Sequence, residues 1–322
     1  MPMASRWLLR EVGSRGGMVT PRTHDRPLGP LGPPVRRQRP LRRGWRFGLL
    51  VERRYLAQAQ PTGLMEALRA RGHEVTLVDP QGGPVDVGDD RWLHGLDMVV
   101  ARGRSWELLC MMAVAETRGV ATVNLRAAIA AVHNKAEMGA RLAAGRVPTP
   151  RTLLAPGARL TAASRIERFP LVLKPVFGDN GRDVRVIRDR AELERLGWSE
   201  PLVLAQEFIA GDGHELKLYV IGHDVWAVRR PAMLLADGRA DGPPAAPPAG
   251  EAVPLRPGER DLALCCKRLF GLELFGLDCI RTPSGTVVIE VNDFPNYGSV
   301  PSASERLADF VMKRARATRR RT

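Results

Sequence analysis

From Trp45 onward the apolar positions follow two alternating periods. Residues 47–51 form a solid apolar run of strand length. Leu64, Met65 and Leu68 then share one helical face, opened by Thr62 and ended by Gly72. Residues 74–78 and 96–101 read as two further strands, followed by the polar loop Arg102-Gly103-Arg104-Ser105. A helix over 106–118 and a short strand over 120–124 complete the segment. Strand–helix alternation of this kind predicts a small parallel sheet. Ligands of such sheets sit at the carboxyl ends of the strands, which puts Arg102 and Arg104 at a candidate substrate edge.

Asn134 caps a predicted helix over 135–144, closed by Gly145, and Val147-Pro148-Thr149-Pro150 makes a rigid connector. Beyond it the period shortens to that of strands and hairpins. Strands are predicted at 171–175, 184–187 and 202–209, and a hairpin pairs 215–221 with 224–229 across Gly222-His223. Residues 237–258, rich in Pro, Gly and Ala, read as a long loop of the kind that forms lids. A helix over 260–270, strands at 276–281 and 286–291 and a last helix over 304–316 finish the chain.

Composition narrows this picture. Of 322 residues 44% are apolar and 26% charged, as in a globular protein, and no apolar run approaches the length of a membrane span. Four cysteines without metal-ligand spacing argue for a reducing compartment, the cytoplasm by default. The net charge of +14 is concentrated at the ends. Residues 1–46 carry eleven arginines against Glu11 and Asp25, and residues 313–322 carry six Lys or Arg and no acid. The rest of the chain is therefore near −1, which argues against nucleic acid as a partner of the folded body and leaves RNA, lipid or ribosomes to the tails. Residues 1–45, with six Gly and seven Pro, have no hydrophobic period and are expected to be disordered. They read as a transit peptide, or as sequence upstream of a true start at Met18.

The chemistry is predicted to lie in the second half. Glu290 and Asn292 are two apart on a strand and share a face, with Ile289 and Val291 turned into a core. Asp278 lies on the preceding strand. Two carboxylates and an amide oxygen suit magnesium, with manganese as a substitute. Lys174 ends an apolar strand and needs a partner, and Gly178-Asp179-Asn180-Gly181 is a turn whose amides can approach phosphate. Lys135 sits in the first turn of a helix, a place that by itself reads as solvent-facing. Gln206-Glu207-Phe208-Ile209 leaves a strand for a Gly-containing turn and could offer backbone groups to a purine edge. Lys217 and Arg229, on neighbouring strands of the hairpin, and Arg230 could neutralise a transferring phosphoryl group.

Taken in order, these pieces resemble the ATP-grasp superfamily over residues 47–312. Asn134-Lys135 with the proline connector, Leu173-Lys174-Pro175 with the glycine turn, Gln206 to Ile209, and Asp278 with Ile289-Glu290-Val291-Asn292 carry the resemblance. It implies a mixed α/β and α+β fold, a Rossmann-like domain followed by two lobes gripping ATP. The boundaries expected are a tail at 1–45, the Rossmann-like domain at 46–125, a small lobe with its leading helix at 126–205, a metal-bearing lobe at 206–312 and a tail at 313–322. Lys135 and Lys174 would hold the α- and β-phosphates under the 178–181 loop, Gln206 to Ile209 would meet adenine, and Asp278, Glu290 and Asn292 would carry magnesium.

Two branches of that superfamily are similar. Up to residue 150 the chain resembles the ribosomal-protein glutamate ligases, which make an acyl-phosphate that an amine then opens. Its C-terminal lobe, in Lys217 to Gly222, Arg230-Pro231 and Asn292-Asp293-Phe294-Pro295, resembles the inositol trisphosphate kinases. Cyclitol phosphates demand a basic pocket, and the near-neutral body favours a ligase of an amino acid or peptide. Glu215 and Lys217 stand where the ligases carry an acid and an arginine, and Asn296, in a turn unlike theirs, is a substrate candidate. A non-catalytic nucleotide- or RNA-binding protein is the third expectation.

Overall fold

The computed structural model describes residues 44–160, 166–179, 181–232 and 250–320. Asn180, residues 237–249 of the expected lid, residues 1–43 and residues 321–322 lie outside them, whereas 313–319 of the expected C-terminal tail belong to the last helix. Strands β1 (Arg46–Val51), β2 (Glu74–Val78), β3 (Met98–Arg102) and β4 (Ala121–Val123) form a parallel sheet in the order β2-β1-β3-β4. Helices α1 (Ala59–Ala70) and α2 (Trp106–Thr117) complete the expected alternation. Every residue of β3 is buried, as a central parallel strand covered on both faces requires. The α1 cap differs from expectation. Gln60 is extended and its Oε1 accepts from the Leu64 amide, while the Thr62 hydroxyl donates to the Leu56 carbonyl. Gly72 ends the turn at φ 78°, a conformation that favours glycine.

An unexpected helix, α3 (Arg126–His133), precedes the one expected over 135–144, which is α4 (Lys135–Ala144). Asn134 between them has extended backbone, and its Oδ1 accepts from the Ala136 and Glu137 amides. Strands β5 (Thr152–Pro156), β6 (Leu171–Lys174), β7 (Arg185–Ile187) and β8 (Leu202–Glu207) form an antiparallel sheet in the order β5-β8-β6-β7, with α5 (Arg190–Arg195) beside it. Its core (Leu160, Ile166, Leu171, Leu173, Ile187, Leu193, Val203, Ala205) shares no residue with the other buried clusters.

The last sheet is antiparallel, in the order β11-β10-β9-β12-β13. It contains β9 (His214–Ile221), β10 (Asp224–Pro231), β11 (Glu251–Val253), β12 (Leu274–Thr282) and β13 (Gly285–Asp293). The edge strand β11 arises inside the span expected to be loop. Helices α6 (Glu259–Phe270), α3 and α4 cover one face. The opposite face is divided. Tyr219, Ile221, Val228, Leu274 and Phe294 at one end join β1, β3, α1 and α7 (Ala303–Arg319) in one buried cluster. The residues that continue the same alternation at the other end are Glu215, Lys217, Arg230, Asp278, Glu290 and Asn292. Packing against the first sheet thus uses the apolar half of the face and leaves its polar half as the floor of a cleft.

A register shift corrects one expectation. Asp278 pairs with Glu290 but Cys279 pairs with Val288, so Ile289 is the extra residue of a bulge. Val288 and Val291 are buried in the core, while Ile289 is only partly covered. Among the described residues no helix is long and apolar enough to cross a membrane.

Beside the shared core, a buried side chain pins the first sheet to the last. Asn124, 2% exposed, follows β4 and accepts from the Glu273 and Leu274 amides at 2.7 and 2.9 Å while donating to the Leu274 carbonyl at 2.7 Å. Asn124→Ala leaves two buried N–H groups unpaired, and urea unfolding should show a loss of about 2–4 kcal/mol.

Candidate functional site

The floor is set by strand register. Lys217, Asp278 and Glu290 are direct neighbours across β9, β12 and β13. Two carboxylates side by side on adjacent strands repel, and cations balance them. Lys217 Nζ lies 2.7 Å from Asp278 Oδ1, and Lys135 Nζ lies 3.1 Å from Glu290 Oε1. Asn292 Nδ2 donates to Asp278 Oδ2 at 2.6 Å, leaving its own oxygen free to face the cleft groups. Arg230 bridges outward, 3.0 Å from Glu215 and 3.7 Å from Asp278. Burial works to raise the Glu290 carboxyl, yet Lys135, Arg104 and Lys174 outweigh it and hold it down at about 2. Glu290 is therefore an anion at any working pH.

Two lysines face this floor from elsewhere. Position alone made Lys135 solvent-facing; it is 6% exposed. The Asn134 cap and a bond from the Lys135 amide to the Val176 carbonyl fix its backbone, and its Nζ donates to the Gly178 carbonyl at 2.8 Å. Lys174, at the end of β6, donates to Gln206 Oε1 at 2.9 Å, and Gln206 is held in turn by Thr152. Burial pulls Lys174 down to about 8; Glu290 opposes this and Lys135 adds to it. Gly181 closes the intervening loop at φ 70°. Glu207, Phe208 and Ile209 are half-buried where β8 leaves for the last sheet, and the first two donate their amides to Arg151 and Pro170.

The first sheet adds a third wall. Arg104 Nη2 donates to Asn292 Oδ1 at 2.6 Å and lies 4.0 Å from Glu290, while Nη1 donates to the Gly178 carbonyl at 3.3 Å. Arg102 stacks at 3.9 Å over the Tyr55 ring and donates to Gln58. Tyr55 donates to Asp179 at 2.6 Å. Glu52, fully buried, accepts from the Arg104 and Ser105 amides and from Arg54, which shapes the loop that carries Arg104. The sequence reading missed Glu52 and Tyr55. An acid directly after a buried apolar strand was the available signal for Glu52, since such a charge needs partners.

Arg229 and Asn296 are not brought into this group. Arg229 points to the other face, donates to Asp212 at 3.0 Å and lines a separate cavity of about 450 Å³ with Pro254, Arg256 and Arg281. Asn296 is exposed in the turn after β13, its Oδ1 accepting from the Gly298 amide. Among the described residues no three His, Cys, Asp or Glu side chains cluster as metal ligands. The set present is two carboxylates and one amide oxygen, a hard-oxygen set that fits a small divalent cation completed by other oxygens.

Comparison with known proteins gives the family and the fold. A family model described as a RimK-like ATP-grasp domain matches residues 132–305. A probable alpha-L-glutamate ligase of Thioalkalivibrio sulfidiphilus is 30% identical over 283 residues, covering 80% of this chain and 93% of that protein. Inositol-tetrakisphosphate 1-kinase 3 of Arabidopsis thaliana is 31% identical over 171 residues, 45% of this chain and 47% of the kinase. The crystal structure of a RimK domain ATP-grasp protein from Sphaerobacter thermophilus superposes with a TM-score of 0.67 at 24% identity, covering 82% and 98% of the two chains.

Lys174 gives a stability prediction. Its folded value of about 8 lies below the ordinary 10.5, so the unfolded chain binds the extra proton between those two pH values. Its charged form therefore costs stability below pH 8, and that cost fades as pH climbs toward 10.5. Lys174→Met should raise stability at pH 7 by about 1–2 kcal/mol after the loss of the Gln206 bond, and the gain should shrink by pH 10 in urea titrations.

Proposed function

The chain belongs to the RimK-like ATP-grasp family and is an ATP-dependent ligase, and from that premise we propose that it joins a carboxylate to an amine on an amino acid or peptide. The observation that carries this reading is the meeting of Lys135, Lys174, Lys217, Arg104 and Arg230 around Asp278, Glu290 and Asn292 in one cleft. Five cations against the carboxylates of Asp278, Glu290, Glu215 and Asp179 leave a surplus of one positive charge, which suits a polyphosphate. The relative matched over nearly its whole length is a ligase, whereas the kinase is matched over less than half of its own length.

In this reading Lys135 and Lys174 hold the phosphates from two sides, and the 178–181 loop closes over them. Gln206 to Ile209 present backbone groups to the base, and Glu215 lies at the sugar side. Enzymes of this fold use ATP with magnesium in general. Asp278, Glu290 and Asn292 would hold that ion, which when bound neutralises charge on the phosphates. A substrate carboxylate oxygen attacks the γ-phosphorus and ADP leaves. The amine nitrogen then attacks the acyl carbon, and phosphate leaves with its electron pair. Lys217 and Arg230 sit where they can balance the oxyanion charge that each step develops. Orientation and charge balance are most of what phosphoryl transfer requires of a protein.

The assay measures ADP and free phosphate together, against amino acids, peptides and cyclitol phosphates. Equal release of both, dependent on a carboxylate and an amine together, is expected. ADP without phosphate would instead identify a kinase, and nucleotide binding without ADP a non-catalytic protein. Asp278→Ala and Glu290→Ala should each abolish turnover with the circular dichroism spectrum retained; full activity in either would refute the cation assignment. With saturating co-substrates, kcat/KM for ATP should fall as pH rises through about 8, where free Lys174 loses its charge. Lys174→Arg, always charged, should remove that limb of the profile.

A further inference from the structure

The phosphate-side loop is held by groups at the first sheet and by Lys135 at the start of α4. Asp179 Oδ2 accepts from Tyr55 and lies 3.8 Å from Arg54, and Asp179 Oδ1 lies 3.3 Å from Arg104 Nε. Phe177 and Trp106, both more than half exposed, face each other with ring centroids 5.9 Å apart. Arg104 is the member of this contact that also reaches the floor. One guanidinium holds Asn292 Oδ1, lies beside Glu290 and donates to the Gly178 carbonyl, with its side chain 9% exposed.

Lys217 pairs with Asp278, and Lys135 pairs with Glu290 while donating to the Gly178 carbonyl, but neither touches Asn292. Arg104 differs in position and in what it touches. Its backbone is fixed by Glu52 at the end of a buried parallel strand, and its fork spans the amide of the candidate cation site and the loop at once. A divalent cation on Asn292 and Glu290 would meet this guanidinium at close range in a buried setting, where like charges are costly. We propose that Arg104 is the resident counter-ion of the ligand-free site and is exchanged for the divalent cation. Cation binding turns its fork away from Asn292 and releases its share of the loop contact, which Lys135 otherwise shares at the Gly178 carbonyl. Arg104 thereby couples occupation of the floor to freedom of the loop, as a positioning residue. The inference rests on reading Asp278, Glu290 and Asn292 as cation ligands.

The test titrates Mn2+ into the nucleotide-free full chain, following free Mn2+ by electron paramagnetic resonance. Arg104→Gln should bind Mn2+ about tenfold more tightly than the unmodified protein, the scale on which one neighbouring charge shifts a site. Arg104→Lys, which keeps the charge, should bind as the unmodified protein does. In the unmodified protein Mn2+ should also speed tryptic cleavage after Arg182 several-fold, read by mass spectrometry, and this arm stands even if Arg104→Gln folds poorly. Mn2+ affinity left unchanged by Glu290→Gln would sink the cation reading and this inference with it. Binding that Glu290→Gln weakens but Arg104→Gln does not strengthen would sink this inference alone, as would cleavage after Arg182 that Mn2+ leaves unchanged.

Discussion

Two carboxylates on adjacent strands cannot share one face of a sheet without cations, and the rest of the site answers that demand. Asp278 and Glu290 are register neighbours, so their charges are fixed relative to each other by backbone hydrogen bonds. Lys217 comes from the next strand, Lys135 from a helix start and Arg104 from a different sheet. Each supplies positive charge from an independent direction, and Lys135 and Arg104, with Lys174, hold the Glu290 carboxyl low despite its burial. Lys174 is the member whose own protonation this crowding compromises. A site assembled in this way carries its stability cost before any ligand arrives, which is common where function and stability compete.

The division of one sheet face explains why the site lies where it does. Strands β9, β10 and β12, and β13 from Glu290 onward, keep a single alternation, yet its residues change from Tyr219, Ile221, Leu274 and Phe294 to Lys217, Asp278, Glu290 and Asn292. The apolar half is claimed by the first sheet and α7. The polar half is thereby left beside the carboxyl ends of the parallel strands, where Glu52, Arg102 and Arg104 emerge. Two different architectures contribute to one cleft because they share a core at its edge.

How far the sequence could be read depended on the distance over which each signal acts. Asp278, Glu290 and Asn292 follow from a period of two and a hairpin, and they lie together. The parallel sheet was legible from solid apolar runs. Lys135 was legible only through the family resemblance, since its neighbours along the chain describe a helix start while its partners, Gly178 and Glu290, lie far along the chain. Tyr55 was missed for the same reason, its partner being Asp179. Helix α3 escaped because Leu125 offers no side-chain cap and the segment is alanine-rich. The bulge at Ile289 cannot be read from alternation, because alternation assumes an unbroken ladder. Arg229 and Arg230 show the rule in reverse. Adjacent residues on a strand point apart, and Arg230 alone reaches Asp278.

The small antiparallel sheet has a core of its own, while the first and last sheets are pinned to each other by Asn124 and by a common cluster. The chain enters the small sheet through Val147-Pro148-Thr149-Pro150 and leaves it after β8. Such a body is hung like a door on two straps. A swing would leave that core packed but must break the bonds of Tyr55, Arg104 and Lys135 to the 176–179 segment. Substrates can come and go while the strand ladder under Asp278 and Glu290 keeps its spacing, so the precision of the chemistry and the speed of exchange are assigned to separate parts of one molecule.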